Sequence, residues 1–449
     1  MTEKKKENEI IIIDAIMGTG KSLYLINDVI NANPDRRYLI VVPTVEDTIN
    51  EKTGERTYTS EATRYFESIS VNGDVYLPQT RPTKTDTLRW AISSGKTIIT
   101  SHSLILRIDE ETMELLREAG YTLIIDECLS VVSDYCKLNI GDSKYRQQSD
   151  KRKRDDLKSA IIDKWVSINT DGILVWNDEK EEPFDNEYNG SYSTIRNLCK
   201  LSSLVCLKKE DGTFSDEIVV WNMPVKFFAL FDTIYIATYL WNGSMQKAYF
   251  DMYDVQYTHM TLYNGQLYLF NPILESDMRQ EKRNLINLFD GNLNKIGIPN
   301  SKRSNPLSLS WYTTRTKEVL SLLRNNCENY FKHYVDTHAN ENMYSTFKNY
   351  TGKIKGERYT KGFVPCSAKG TNEYRHKKSL AYLINLFPPQ NIVLFFASKG
   401  VEINRDLYAI SEMLQWIWRS AIRDGERINL YLPSQRMRDL LEQWAEGAI

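Results

Sequence analysis

From Ile10 onward the chain repeats one pattern: a short β-branched run, a polar break, then an amphipathic stretch. Ile10 to Ile13 are continuously apolar, which suits a strand buried on both faces of a sheet. After a break of small residues, Leu23, Ile26 and Ile30 recur at helical spacing, and Asn33-Pro34 predicts the stop. Tyr38 to Val42 predicts a second strand ending in Pro43-Thr44, followed by a looser charged segment from Val45 to about Tyr65. A helix from Asp86 to Ser94 is expected to stop at Gly95, Thr97 to Thr100 reads as a strand, and a helix from about Ser103 to Ala119 is expected to stop at Gly120. YTLIIDE, Tyr121 to Glu127, then predicts another buried strand. Such alternation predicts an α/β unit whose parallel sheet is covered by helices on both faces, with ligands gathering at the carboxyl ends of the strands.

The texture changes between about Asp134 and Met223. SDKRKRDDLKSAIIDKW predicts a charged helix, and LVCLKKEDGTFSDEIVVW a hairpin turning at Asp211-Gly212. This stretch, 134–223, reads as an α+β insertion in the first domain. Its basic run reads as a solvated helix face ahead of a phosphate-backbone contact. The sheet pattern resumes in DTIYIATYL, and a second hairpin is expected around Asn264-Gly265. KIGIPNSKRSN, Lys295 to Asn305, is expected as the interdomain linker, with Leu307 to Tyr312 opening a second alternating unit. The expected domains are therefore 1–133 with 224–300, the insertion, and 301–449.

Chemistry concentrates where strands end. Between the isoleucine strand and the first helix stands AIMGTGKS, Ala15 to Ser22. Gly18, Thr19 and Gly20 allow close backbone approach to a ligand, and the helix N-terminus beyond them favours an anion. Lys21 would reach the β/γ-phosphates and Ser22 would hold Mg²⁺. This is a Walker A loop with Ala15 where the common pattern has its first glycine. Asp126 and Glu127 end a later strand of the same unit. There Asp126 would hold Mg²⁺ through water and Glu127 would polarise the water attacking the γ-phosphate. Near the end of the chain, Gln415, Arg419 and Arg423 are spaced i, i+4 and i+8, so the expectation is that they line one helix face. Trp416, Ile417 and Trp418 make that helix apolar, and arginines in such surroundings need an anionic partner.

The length of 449 residues suggests about two to four domains. A net charge of −2 gives no global attraction to nucleic acid, so such a partner would have to be held by a local groove. No apolar run is long enough for a membrane span, and Met1 to Glu9 is polar rather than signal-like, so a cytoplasmic location is expected, that of the bacterial host if the chain is phage-encoded. The six cysteines lack Cys-x-x-Cys spacing, which supports neither a zinc site nor a disulfide framework.

Taken in order, these motifs resemble those of the superfamily-two helicases, the DEAD/DEAH-box-like group, and most resemble the helicase-like ATPases of phages of Gram-positive bacteria. Ala15 to Ser22 matches motif I, Pro43-Thr44 resembles motif Ia, Thr100-Ser101-His102 the next DNA-facing element, and Asp126-Glu127-Cys128-Leu129 the DEAD/DEAH box. Ala237-Thr238 resembles motif III, Lys369-Gly370-Thr371-Asn372 motif V, and Gln415 to Arg423 motif VI. The glycines between the motif VI arginines are absent, and the second arginine falls one residue later than in the family.

The resemblance implies two RecA-like P-loop domains with ATP and Mg²⁺ between them and a nucleic-acid strand across both, DNA favoured over RNA. Lys21, Ser22, Asp126 and Glu127 would form one wall of the cleft and Gln415, Arg419 and Arg423 the other, with Thr238 coupling the two sites. Thr44, His102, Thr371, Asn372 and Arg375 would touch backbone phosphates without sequence readout. Which of Arg419 and Arg423 is the arginine finger stays open, with Arg423 preferred and Arg419 as a clamp. Other replication proteins are possible partners. The competing readings are a DNA-packaging motor ATPase, a non-catalytic P-loop accessory protein and an RNA helicase.

Overall fold

Four consecutive isoleucines demand burial on both faces, and the centre of a parallel sheet supplies it. The computed structural model describes residues 8–45, 47–49, 56–58, 60–138, 149–181, 188, 190–209, 211–302, 304–367 and 373–449. Among these, the first sheet comprises β1 (Glu9–Asp14), β2 (Arg37–Val42), β3 (Val75–Tyr76), β4 (Thr97–Ser101), β5 (Tyr121–Asp126), β6 (Thr233–Thr238), β7 (Thr258–Tyr263) and β8 (Gln266–Leu269). Their order is β8-β7-β1-β6-β5-β2-β4-β3, parallel throughout except for the β7–β8 hairpin. The register sets Asp14 opposite Thr238 and Asp126 opposite Ala237. The carboxyl ends of β1, β6 and β5 are thus level, which is what brings the phosphate loop and the acidic pair together.

Several helices differ from the pattern in the sequence. The helix after the phosphate loop starts as α at Lys21–Tyr24 and widens into a π-helix over Leu25–Ile30, where the Asn31 amide reaches back to the Ile26 carbonyl at 2.8 Å. The helix expected over 103–119 is two, His102–Ile105 and Glu110–Ala119. Asp109 explains the break: its carboxylate accepts the Thr112 amide at 3.0 Å and so caps the second helix. The segment expected to be loose contains a helix, Ser60–Ser68, with Ala62 and Tyr65 fully buried.

Between β5 and β6 lies a compact α+β unit. Strands Val132–Asp134, Leu204–Lys208 and Phe214–Asn222 form an antiparallel sheet, and the expected turn falls at Gly212 with φ +86°. The helix Asp150–Ile162 carries the basic run. Much of that charge is held locally: Lys153 donates to the Cys136 carbonyl at 3.3 Å, and Arg152 and Lys158 lie 3.8 and 3.4 Å from Asp156 and Glu217.

A second sheet, all parallel, comprises β9 (Ile286–Leu288), β10 (Asn342–Ser345), β11 (Ser379–Tyr382) and β12 (Ile428–Tyr431), in the order β9-β12-β11-β10. β9 moves the expected crossover upstream. The chain leaves the first sheet through Pro272–Glu275 and the helix Ser276–Asn284, and β9 already belongs to the second sheet. Lys295 to Asn305 therefore lies inside the second unit. At three residues β9 is too short for alternation to register in the sequence. The stretch Leu307 to Tyr312 leads into a helix, Leu309–Thr314, capped by Ser308.

The two sheets meet through shared cores. Ile16 from the phosphate loop and Tyr239-Leu240 after β6 pack in one cluster with Trp416, Trp418 and Trp444 of the second unit. Elsewhere Ile392, Phe395 and Phe396, from the second-unit helix Gln390–Ser398, join the core of the first sheet and the insertion. Contact at the first seam is backbone to backbone. A Cβ built on Gly243 would come within 2.6 Å of the Leu407 carbonyl carbon, at the start of the helix Arg405–Ile417. We expect Gly243→Ala to destabilise the protein by about 1–3 kcal/mol, because no side chain there can turn away. Gly73→Ala, where the new Cβ meets nothing within 4 Å, should stay within about 0.5 kcal/mol of the parent. Urea unfolding of the two variants checks this, and equal midpoints would show that the seam tolerates separation.

Candidate active site

The sequence puts glycine at the two loop positions where the backbone is left-handed, Gly18 at φ +88° and Gly20 at φ +91°. A Cβ would meet nothing within 4 Å at either, so backbone conformation, not space, requires glycine there. Gly20 precedes the helix without any side-chain cap, which leaves the first amides of Lys21–Tyr24 free to face an anion. Lys21 folds back on its own loop, with Nζ donating to the carbonyls of Ala15 and, at 3.1 Å, Ile16. Burial lowers its pKa, against the pull of Asp14, Glu275, Asp126 and Glu127. A phosphate would replace those carbonyls as the partner of Lys21 and offset its desolvation.

Asp126 is buried at the end of β5. Its Oδ2 accepts from Ser22 Oγ at 3.0 Å and from the Tyr65 hydroxyl at 3.2 Å. Burial raises the Asp126 pKa and the charge of Glu127 raises it further, while Arg64, the Ser22 bond and Lys21 pull it down. Glu127 has left-handed backbone, φ 68°, although it is not glycine. Its amide still donates to the Ala237 carbonyl at 2.9 Å, so the sheet ladder ends there and the chain turns sharply, at a cost of roughly 1–2 kcal/mol. Beyond the turn the Glu127 side chain lines the cleft. Glu127 Oε1 lies 3.8 Å from Arg419 Nη2, across the two units. Glu127 Oε2 and Arg419 Nε are both buried with no hydrogen-bond partner among the described residues. Orphaned groups of opposite sign facing one cavity are what a bound anion with its cation and water would satisfy.

Gln415, Arg419 and Arg423 do not share a helix face, contrary to the expectation from their spacing. The helix Arg405–Ile417 ends at Trp418, and the chain continues in tight turns to a 3₁₀ segment, Ala421–Asp424. The Ala421 amide, which would continue the helix onto the Ile417 carbonyl, donates instead to the Lys377 carbonyl at 3.0 Å, and the Ser420 hydroxyl takes the Ile417 carbonyl at 2.7 Å. The turns nonetheless deliver all three side chains to one cavity of about 310 Å³, lined also by Gly18, Gly20, Lys21, Ser22, Glu61, Arg64, Asp126, Glu127, Thr238 and Trp418.

Other expected site residues are dispersed. Thr44 is half-buried just past β2. His102 is buried and turned inwards, its Nε2 3.1 Å from the Asp126 carbonyl, which suits support of Asp126 and not contact with an external strand. Arg375 is exposed and bonded to Asp424, Nε to Oδ2 at 3.0 Å. Thr371 and Asn372 lie outside the described residues. Thr238 is buried, and its carbonyl accepts the Ala15 amide at 3.2 Å.

The sequence reading missed Arg64, Tyr65 and the crossover pair Glu275 and Arg279. Both members of that pair are buried, and Glu275 Oε1 accepts the amide of Ile16 in the phosphate loop at 3.1 Å. Arg279 lies 3.6 Å from Glu275 and donates to the Trp444 carbonyl at 3.4 Å, so a buried ion pair ties the loop to the last helix of the second unit. The only signal for it in the sequence is i, i+4 spacing in an otherwise ordinary charged segment.

A chain with two parallel sheets and a phosphate loop between them has the architecture of two RecA-like domains with an α+β insertion in the first. In keeping with this, its fold is similar to that of the helicase XPD in a solved apo structure, with a TM-score of 0.51 and 14% identity over 97% of this chain and 96% of that one. Residues 149–221 match the YonV middle domain and residues 280–445 the YonV C-terminal Rossmann-like domain. The SPbeta prophage-derived protein YonV of Bacillus subtilis strain 168 is 34% identical over 446 residues, covering 97% of this chain and 98% of its relative. The chain belongs to the YonV family.

Burial raises the Glu275 pKa from its ordinary 4.5 to about 7, with Asp14 adding to the shift and Arg279, Lys21 and the Ile16 amide opposing it. A carboxyl group raised in this way stabilises the fold most below its unfolded pKa, and that contribution is lost as pH rises through about 7. Glu275→Gln removes the titration. Its stability relative to the parent should rise by up to ~3 kcal/mol between pH 4.5 and 7, as measured by urea unfolding at each pH. A difference that does not vary with pH would overturn this.

Proposed function

We propose that the chain is an ATP-driven nucleic-acid helicase or translocase, acting on DNA. The observation that carries this reading is the single cavity lined by the phosphate loop and Asp126-Glu127 from one domain and by Gln415, Arg419 and Arg423 from the other. Gly18 to Ser22 cradle the triphosphate, and Lys21 exchanges the Ala15 and Ile16 carbonyls for phosphate oxygens. Ser22 and Asp126, already 3.0 Å apart, fit as holders of Mg²⁺, which would neutralise phosphate charge and orient the terminal group. Glu127, held in its strained turn, orients water and takes its proton. Arg419 and Arg423 stabilise charge on the leaving phosphate from the opposite domain, with Arg423 as finger and Arg419 as clamp to Glu127. Closing the cleft completes this set and hydrolysis reopens it.

Nucleic acid would be held through backbone phosphates by Thr44, Thr371, Asn372 and Arg375. The exposed Arg375–Asp424 bond is weak enough to be exchanged for a phosphate at little cost. The prophage origin of the relative favours DNA in a replication or recombination setting. ATP hydrolysis measured alone and then with single-stranded DNA, duplex DNA and RNA tests the reading, and turnover that ignores all three polymers would overturn the translocase assignment.

Within this scheme Glu127→Gln should bind ATP with near-parent affinity and turn over at least about 100-fold more slowly, and Lys21→Ala should remain folded without hydrolysis. Parent-like turnover in either would remove the catalytic role of that residue. Arg419→Ala and Arg423→Ala should both retain ATP binding, with the finger losing about 10³-fold in turnover and the clamp less. Lysine should substitute poorly at the finger, since the planar fork is what matches phosphate. Full activity in the double variant would sink the two-domain mechanism.

A further inference from the structure

The cavity holds a third arginine that no motif accounts for. Arg64 lies on the helix Ser60–Ser68, in the same domain as the phosphate loop, next to Tyr65, whose hydroxyl bonds Asp126. It lines the cavity together with Lys21, Glu127, Arg419 and Arg423. Neither Arg64 nor Arg423 makes a side-chain hydrogen bond or ion pair with any described residue. The two half-buried guanidiniums thus line one cavity from opposite domains, and the Glu61 carboxylate, which also acts on Arg423, is hydrogen-bonded to neither. Their proximity is felt electrostatically: burial lowers the Arg423 pKa first, and Arg64 is the next largest cause. Four cationic side chains (Lys21, Arg64, Arg419, Arg423) meet three carboxylates (Glu61, Asp126, Glu127) around this space. Like charges opposed across a closed cleft are unfavourable unless an anion sits between them.

We propose that Arg64 is a phosphate-binding residue of the first domain, which grips the terminal phosphate of the nucleotide from the side opposite Arg423. This rests on reading the cavity as an ATP site. The terminal phosphate is selected because Arg64 acts electrostatically on Asp126 and adjoins Tyr65, whose hydroxyl shares Asp126 Oδ2 with Ser22, the two residues read as holding Mg²⁺. With that phosphate present, the two guanidiniums are joined by a shared anion and the domains are drawn together. Once it has left, the same pair repels. Arg64 then makes the closed cleft depend on the third phosphate, where the motif VI arginines alone would depend on it from one side only.

The test is titration of the full chain with a fluorescent non-hydrolysable ATP analogue and with fluorescent ADP, for the parent, Arg64→Ala, Arg64→Lys, Arg423→Ala and the double variant. Arg64→Ala should weaken the ATP analogue about tenfold and leave ADP within about twofold, as expected for loss of one charge-assisted bond to phosphate. Arg64→Lys should recover part of the loss, and the double variant should no longer prefer the ATP analogue to ADP. A merely structural role for Arg64 would weaken both nucleotides alike or lower the unfolding temperature, and either result overturns the proposal. So does parent-like affinity for the analogue in Arg64→Ala. If the parent binds both nucleotides and Lys21→Ala does not, such a failure is confined to Arg64. If the parent binds neither, the nucleotide reading fails and takes this proposal with it.

Discussion

The cleft depends on one hydrophobic seam. Ile16 and Met17 of the phosphate loop, together with Tyr239 and Leu240 after β6, pack against Trp416, Trp418 and Trp444 of the second domain. Polar bonds then fix its register: the Trp444 indole donates to the Tyr239 hydroxyl at 2.6 Å, and Ser411 to the Tyr239 carbonyl at 3.4 Å. Burying these aromatics carries the two walls to within ion-pair reach of each other, as the 3.8 Å between Glu127 and Arg419 records. Without the seam, the arginines would be surface residues with solvated charge. With it, they are held part-desolvated in one cavity with the orphaned Glu127 Oε2, where an electrostatic contact is strongest.

The first domain was readable from the sequence because its strands are buried on both faces and end in chemically marked residues. β1 and β5 were visible as β-branched runs, and Gly18 to Ser22 and Asp126-Glu127 as the breaks after them. The second domain was harder to read. Its first strand, β9, has three residues, and its helix Arg405–Ile417 stops where periodicity alone would continue it. At that stop the Ala421 amide pairs with the Lys377 carbonyl and a serine hydroxyl takes the Ile417 carbonyl, which a spacing rule does not capture. Arg64 was missed for a related reason: its helix follows a polar, charged stretch, and the residues that bury it are distant in sequence. His102 shows the opposite error, since a motif-like tripeptide suggested an outward role for a side chain that supports Asp126 from within.

A second tie runs through the insertion. It begins within a few residues of Asp126 and Glu127, at Val132, and its sheet receives the apolar helix Gln390–Ser398 from the second domain. Asn391 fixes this helix by donating to Asp134 Oδ2 at 3.1 Å. The insertion is thus part of the interdomain structure and not an appendage. Both attachments are largely apolar, so opening the cleft by full separation would expose both cores to water. A rotation that keeps the Gln390–Ser398 contact while loosening the Tyr239–Trp444 seam exposes only one of them and is the less costly motion.

The buried pair Glu275–Arg279 gives that rotation a route to the phosphate loop. Glu275 holds the Ile16 amide, and Arg279 holds the carbonyl of Trp444, a member of the seam itself. Movement of the last helix of the second domain therefore pulls on the residue that begins the loop, and Ile16 supplies one of the two carbonyls on which Lys21 rests. Under the proposed function, a phosphate in the loop and closure of the seam would act on the same few atoms. Coupling between distant sites needs a shared element with two arrangements, both of whose states the sites can bias. The one arrangement seen here has Lys21 resting on the loop carbonyls of Ala15 and Ile16, and under the proposed function a phosphate would supply the other by drawing Lys21 away.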